Sequence, residues 1–127
     1  MSRLIKVVIA ACVVITFASC NTGDRREYRS VALQFAGALA ARDTATLRGV
    51  VVPERAAILL QGLPGADDRR VLAVGTAPTV QYRGAKDGRS NYFLHPTGAS
   101  DLGLWIMVRQ APTPRVYSYQ LVPDLGP

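Results

Sequence analysis

The apolar residues of this chain change period once, and that change restricts the fold more than any other feature. Between Asp24 and Ala41, Tyr28, Val31, Phe35 and Leu39 recur at three- and four-residue steps, with Ala32 and Ala36 beside them. Such spacing lays an apolar stripe along one face of a helix. From Thr79 the pattern is extended instead: Thr79-Val80-Gln81-Tyr82-Arg83 alternates polar and apolar residues, as a half-buried strand does. Helices followed by strands, with no return to helix, predict an α+β domain with helices packed on one face of an antiparallel sheet.

Local signals set the expected boundaries. Asp24 is the expected N-cap of the first helix, because its carboxylate can accept from free first-turn amides, and the Ala-rich run to Ala41 favours helix. Asp43 is expected to cap a second, short helix from Thr44 to Val50 that buries Leu47. Pro53 suits the first position of a third helical segment, where its missing amide costs nothing. Ile58, Leu59 and Leu60 give that segment an apolar face, and Gly62 with Pro64 ends it. Gly65 to Arg70 reads as a polar connection with a solvated Asp67-Asp68-Arg69-Arg70 cluster. Lys86-Asp87-Gly88 is a hairpin signal, since Asp-Gly accepts positive φ angles. Asn91–His95 is the returning strand, Leu102–Arg109 a long apolar strand, and Arg115–Val122 the last, giving about four in all.

The start of the chain reads as an export signal. Arg3 and Lys6 precede an apolar run from Val7 to Phe17, then the small residues Ala18 and Ser19, then Cys20. A basic start, an apolar stretch and a small-residue cleavage site make up a secretory signal. The run falls short of the roughly 20 residues a spanning helix needs. Phe17-Ala18-Ser19-Cys20 resembles the lipobox of bacterial prolipoproteins, with Phe17 where that family most often has Leu. The resemblance implies a diacylglycerol thioether at Cys20, cleavage just before it, and a mature protein exported and anchored to membrane lipid. Ile9-Ala10-Ala11-Cys12 is the rival site, but cleavage there would leave too short an apolar run. Asn21, rather than Asp, follows Cys20, which by the same resemblance allows the outer membrane of a two-membrane cell. The expected organisation is a signal peptide at 1–19, a lipidated tether at 20–24 and a single domain at 25–127.

Removing residues 1–19 changes what composition implies. The remaining 108 residues suit one domain. They keep one cysteine, which acylation accounts for, and so no internal disulfide. The net charge falls from +6 to +4, and Lys86 is the one lysine among thirteen bases. The arginines are scattered rather than gathered in a stripe with interleaved aromatics, so nucleic acid is not an expected partner. Arg25, Arg26 and Arg29 lie close to the expected anchor, where cations are attracted to an anionic bilayer.

The helix-then-meander order, with Phe35-Ala36-Gly37-Ala38-Leu39-Ala40-Ala41-Arg42-Asp43 and then Leu47, resembles the cystatin-like, nuclear-transport-factor-2-like superfamily. In that family an apolar opening helix ends at an Arg-Asp or Gly-Asp step before a second helix. The resemblance implies a curved sheet wrapped into a cone, with four strands here where the family often has five or six. It also implies a catalytic candidate, because the family's enzymes often pair Asp with His inside the cone. His95 is the chain's one histidine, with Asp101 the nearest acid and Asp87 across the hairpin. No spacing fixes that pair, and His95 next to Pro96 also suits a surface or capping place.

One histidine and scattered acids do not make a metal-ligand set, and no phosphate loop, nucleophile elbow or dinucleotide fingerprint occurs. No cofactor is expected. Tyr82, Tyr92, Trp105, Tyr117 and Tyr119 are the ligand-binding candidates, either lining a concavity or packing against the Phe35 helix. Strict alternation puts Tyr117, Tyr119 and Leu121 on one face, with Trp105 opposite Leu104 and Ile106. The expected role is a binding domain at the cell envelope for a protein or a small apolar ligand; the alternatives are a small enzyme using His95 and a structural envelope component.

Overall fold

A computed structural model describes residues 23–65, 77–95 and 102–123. The chain runs through α1 (Arg26–Ala41), α2 (Thr44–Val50), a 3-10 turn (Pro53–Arg55) and α3 (Ala56–Gln61). It then forms β1 (Thr79–Lys86), β2 (Arg89–His95), β3 (Leu102–Arg109) and β4 (Arg115–Pro123). The four strands make one antiparallel sheet in sequence order. The architecture is therefore α+β, helices first. The expected signal peptide, the rival Cys12, Cys20, the 67–70 cluster and Asp101 lie outside the described residues.

The stripe on α1 is buried as its period requires: Tyr28, Ala32, Phe35, Ala36 and Leu39 belong to the core, with Val31 partly buried against it. Phe35 meets Tyr119 of β4 with ring centroids 5.0 Å apart. From the sheet come Tyr92 and Leu94 of β2, Leu104, Ile106 and Val108 of β3, and Val116 of β4. Burying each large aliphatic or aromatic side chain stabilises the fold by roughly 1.5–3 kcal/mol.

Helix α1 ends at the Arg-Asp step. Arg42 takes the left-handed conformation at φ 54°, and Asp43 donates its amide to the Ala38 carbonyl at 2.9 Å. That bond, with the Arg42 amide on Leu39, satisfies carbonyls the helix end would leave unpaired. Asp43 then caps α2 by accepting from the Thr46 amide, and Leu47 is fully buried. Pro53 opens the 3-10 turn. Ile58 does not follow the expected pattern: it is 66% exposed while Leu59 is buried. A helix of six residues has room for one inward stripe, and three consecutive positions cannot share it.

The cap of α1 differs from expectation. The N-cap is Arg25, with no side-chain bond to the first turn. Asp24 is drawn away by stronger donors, accepting from Arg29 Nε at 2.8 Å, from a terminal Arg29 nitrogen at 2.7 Å and from the Tyr92 hydroxyl at 3.0 Å.

Asp87 and Gly88 form the β1–β2 turn with φ of 55° and 74°, the left-handed pair that suits the twist of a two-residue hairpin. Two bulges alter the faces. One extra residue enters β1 between Tyr82 and Ala85, where Gly84 sits at φ 91°. A second falls in β4: Met107 pairs with Ser118 but Val108 pairs with Val116, leaving Tyr117 over. Beyond β4, Val51 bridges to Val116 in parallel and the Val52 amide donates to the Val116 carbonyl.

Candidate functional site

Only one face of the sheet is covered by α1. On that face Tyr82, Tyr92 and Tyr119 belong to or pack against the core. Tyr82 and Tyr92 meet at 5.7 Å. The space between helix and sheet is filled by Phe35, Tyr92, Leu94, Leu104 and Ile106, all essentially inaccessible. Burial pushes the Tyr119 hydroxyl above its ordinary pKa. Burial, then its bond to the Asp24 carboxylate, pushes Tyr92 well above the usual phenol range. These three tyrosines are packing residues in this fold.

The other face is built by the alternate residues. Strand register sets Gln81, Phe93, Trp105 and Gln120 in one row across all four strands, and Asn91, Met107 and Ser118 in the next. Trp105 donates its indole N–H to Asn91 Oδ1 at 3.1 Å, which fixes the plane of the ring. Phe93 meets Trp105 edge-on at 6.0 Å and His95 at 4.5 Å. The Phe93 ring lies over Gly103, where a Cβ would collide with it. Gly103 is therefore a close-approach glycine.

Tyr117 corrects the expectation from strict alternation. The bulge turns it away from Tyr119 and onto this outer face. There Arg89 and Arg55 sit over its ring with guanidinium carbons 3.9 and 4.3 Å from the centroid. Arg55 also donates Nε to the Tyr117 carbonyl at 2.6 Å. The bulge frees that carbonyl from the ladder, and the arginine takes it. Arg83 lies 5.7 Å from the Phe93 centroid. The five aromatic candidates thus split, with Tyr82, Tyr92 and Tyr119 inward and Trp105 and Tyr117 outward.

The strands contribute charge of one sign to the outer surface. The four strands contain no Asp or Glu, while they carry Arg83, Lys86, Arg89, Arg109 and Arg115. Arg109 pairs with Glu54 of the 3-10 turn, and that contact holds the Glu54 carboxyl below its ordinary pKa. Arg83 and Arg89 lie over aromatic faces, which orients their planar guanidinium groups at little entropic cost.

His95 also lies on the outer face, its Nε2 2.9 Å from Gln81 Oε1. Asp87 is at the opposite end of β2, roughly 20 Å away by the rise of the strand, so it cannot serve as the acid beside His95. Among the described residues no group of His, Cys, Asp and Glu is placed to hold a metal ion. An open groove of about 660 Å³ runs beside α2 and α3, lined by Arg48, Pro53, Ala56, Ala57, Leu60 and Gln61. It lies outside the helix–sheet interior and contains no paired acid and base.

Phe93, Asn91, Met107, Arg83 and Arg89 are outer-face residues that a survey of tyrosines and tryptophan passes over. Alternation from the inward Tyr92 finds Phe93 and Asn91, and the acid-free strand composition marks the cations. Comparisons with protein-family models, with curated proteins and with solved structures return no match.

Proposed function

We propose that this chain is an exported, lipid-anchored binding protein that docks an acidic segment of another envelope protein on the outer face of its sheet. The observation that carries the docking role is the outer face itself. Trp105 and Tyr117, both part-exposed, are held in place over the buried Phe93 by Asn91 and by stacked arginines, on strands without a single carboxylate. Trp, Tyr and Arg dominate the energetics of protein interfaces because they combine apolar area with directed polar contacts. A cationic surface selects a carboxylate-bearing partner and rejects basic ones. The filled interior favours such a surface over a small apolar ligand, which needs a cavity.

Anchoring rests on Arg3, Lys6, the apolar run and Phe17-Ala18-Ser19-Cys20. The lipobox resemblance assigns the thioether to Cys20, and the lipid it carries is the membrane partner. No helix among the described residues is long and apolar enough to cross a bilayer. The cystatin-like, nuclear-transport-factor-2-like relationship, with its cone, is part of the same reading; helices preceding a four-stranded antiparallel sheet support it.

Two measurements test the proposal. Mass spectrometry of the mature N-terminus should find a diacylated Cys20; an intact Met1 on the membrane-bound form refutes the anchor. The second uses Trp105, the chain's one tryptophan. A Glu- and Phe-containing peptide should shift its emission saturably, and a Lys-for-Glu peptide should not. Arg83→Ser with Arg89→Ser should abolish the shift. Equal responses to both peptides, or none to either, refute the docking face.

A further inference from the structure

We infer that one end of the sheet is a headgroup-binding edge that seats the domain on an anionic bilayer. Register places Lys86 opposite Arg89, Arg89 opposite Arg109 and Arg109 opposite Arg115. Four cations therefore stand in one row across all four strands, spanning roughly 14 Å at the usual strand spacing. Like charges directly opposed across strands are destabilising. Glu54 offsets one of the four through Arg109, and Asp87 lies in the adjacent turn. Arg89 rests on Tyr117, and Arg115 donates to the Pro114 carbonyl. The row keeps an excess of positive charge that an external anion is suited to neutralise.

The position of the row identifies the anion. The chain enters the domain at this same end. Ser90, next to Arg89, donates its hydroxyl to the Gly23 carbonyl at 2.5 Å and accepts from the Gln110 side chain at 3.0 Å. Asp24 is held by Arg29 and Tyr92. Gly23 is three residues after Cys20, so the intervening backbone reaches roughly 10 Å at most. Resting on the proposed acylation of Cys20, that length brings the Lys86–Arg89 end of the row, beside Gly23, to about one Debye length from the headgroups. The exposed Arg26 flanks the chain on the helix side of the same end, beside Arg25, which pairs with Glu27 at 3.7 Å. Arg29 does not contribute as the sequence suggests, because Asp24 neutralises it. Anionic lipid phosphates fit the charge of the row and the closeness of its Lys86–Arg89 end to the anchor.

The test uses the acylated mature protein, reconstituted into vesicles of phosphatidylcholine with and without about a third phosphatidylglycerol. A single introduced thiol carries a fluorophore, either Thr113→Cys in the β3–β4 loop beside the row or Thr79→Cys at the start of β1. Thr79 is exposed and stands at the opposite end of β1 from Lys86, about 20 Å away by the rise of the strand. Brominated lipid should quench the Thr113 label several-fold more than the Thr79 label when phosphatidylglycerol is present. Lys86→Gln, Arg89→Gln and Arg115→Gln together should equalise the two labels, as should 1 M salt on the unsubstituted chain. The substituted chain should unfold at the same urea concentration or higher, because repulsion is relieved. Equal quenching in the unsubstituted chain at low salt, or a difference that survives both treatments, overturns the inference. If Cys20 proves unacylated, the anchor reading fails separately, and cosedimentation of the unacylated chain with the anionic vesicles still reads the row. Its vesicle affinity should then fall about five-fold per cation removed; unchanged affinity overturns the inference.

Discussion

Removing the carboxylate of Asp24 should loosen the first helix from the sheet, and its size follows from the three bonds that the group accepts. Two come from Arg29, whose side chain is 43% exposed, so solvent screening limits them to about 0.5 kcal/mol. The third comes from the hydroxyl of Tyr92, a residue with no exposed surface. Leaving that buried donor unpaired costs about 1–3 kcal/mol. Asp24→Ala should therefore destabilise by about 2–3 kcal/mol. Tyr92→Phe removes donor and penalty together and should cost about 1 kcal/mol. The double variant should fall short of the sum by about 1 kcal/mol, the coupling expected of partners in contact. Urea unfolding followed by Trp105 emission measures all three. Additive losses, or an Asp24→Ala loss under about 0.5 kcal/mol, would refute the assignment of Asp24 as the link between α1 and β2.

Acid provides an independent check on the same contact. The Arg29 hydrogen bonds, assisted by Tyr92 and by the Arg29 charge and opposed by burial, hold the Asp24 carboxyl below its ordinary 3.8. A lowered folded-state pKa means its contribution is complete above the unfolded value and is lost as pH falls through the folded one. The stability gap between the unsubstituted chain and Asp24→Ala should be constant from pH 7 to about 5 and close below about 4; a gap that persists in acid excludes the linkage. Gly103→Ala should drive a methyl into the Phe93 ring and destabilise by about 1–3 kcal/mol, with Phe93→Leu restoring part of the loss. Leu47→Ala should cost about 2–5 kcal/mol because the site is fully buried. Ile58→Gln should change stability by less than about 0.5 kcal/mol because that side chain is exposed; thermal or urea unfolding separates the two.

Local chemistry made much of this fold legible in the sequence. The α1 stripe follows from helical period, the Asp43 cap from a carboxylate three residues before Thr46, and the first hairpin from the φ tolerance of Asp-Gly. Each depends on neighbours a few residues apart, so the chain specifies it before any tertiary contact forms. The absence of carboxylates from the strands is equally a property of the sequence. Asp24, Ile58 and Tyr117 needed the tertiary structure. Asp24 leaves the helix amides because Arg29 and a hydroxyl 68 positions away offer it better donors. Ile58 faces water because the short α3 turns another side chain inward. Tyr117 changes face because β4 carries one residue more than β3 can pair, and a one-residue offset reverses every side chain beyond it. The cation row has the same origin: Lys86, Arg89, Arg109 and Arg115 are separate in sequence, and only strand register sets them side by side.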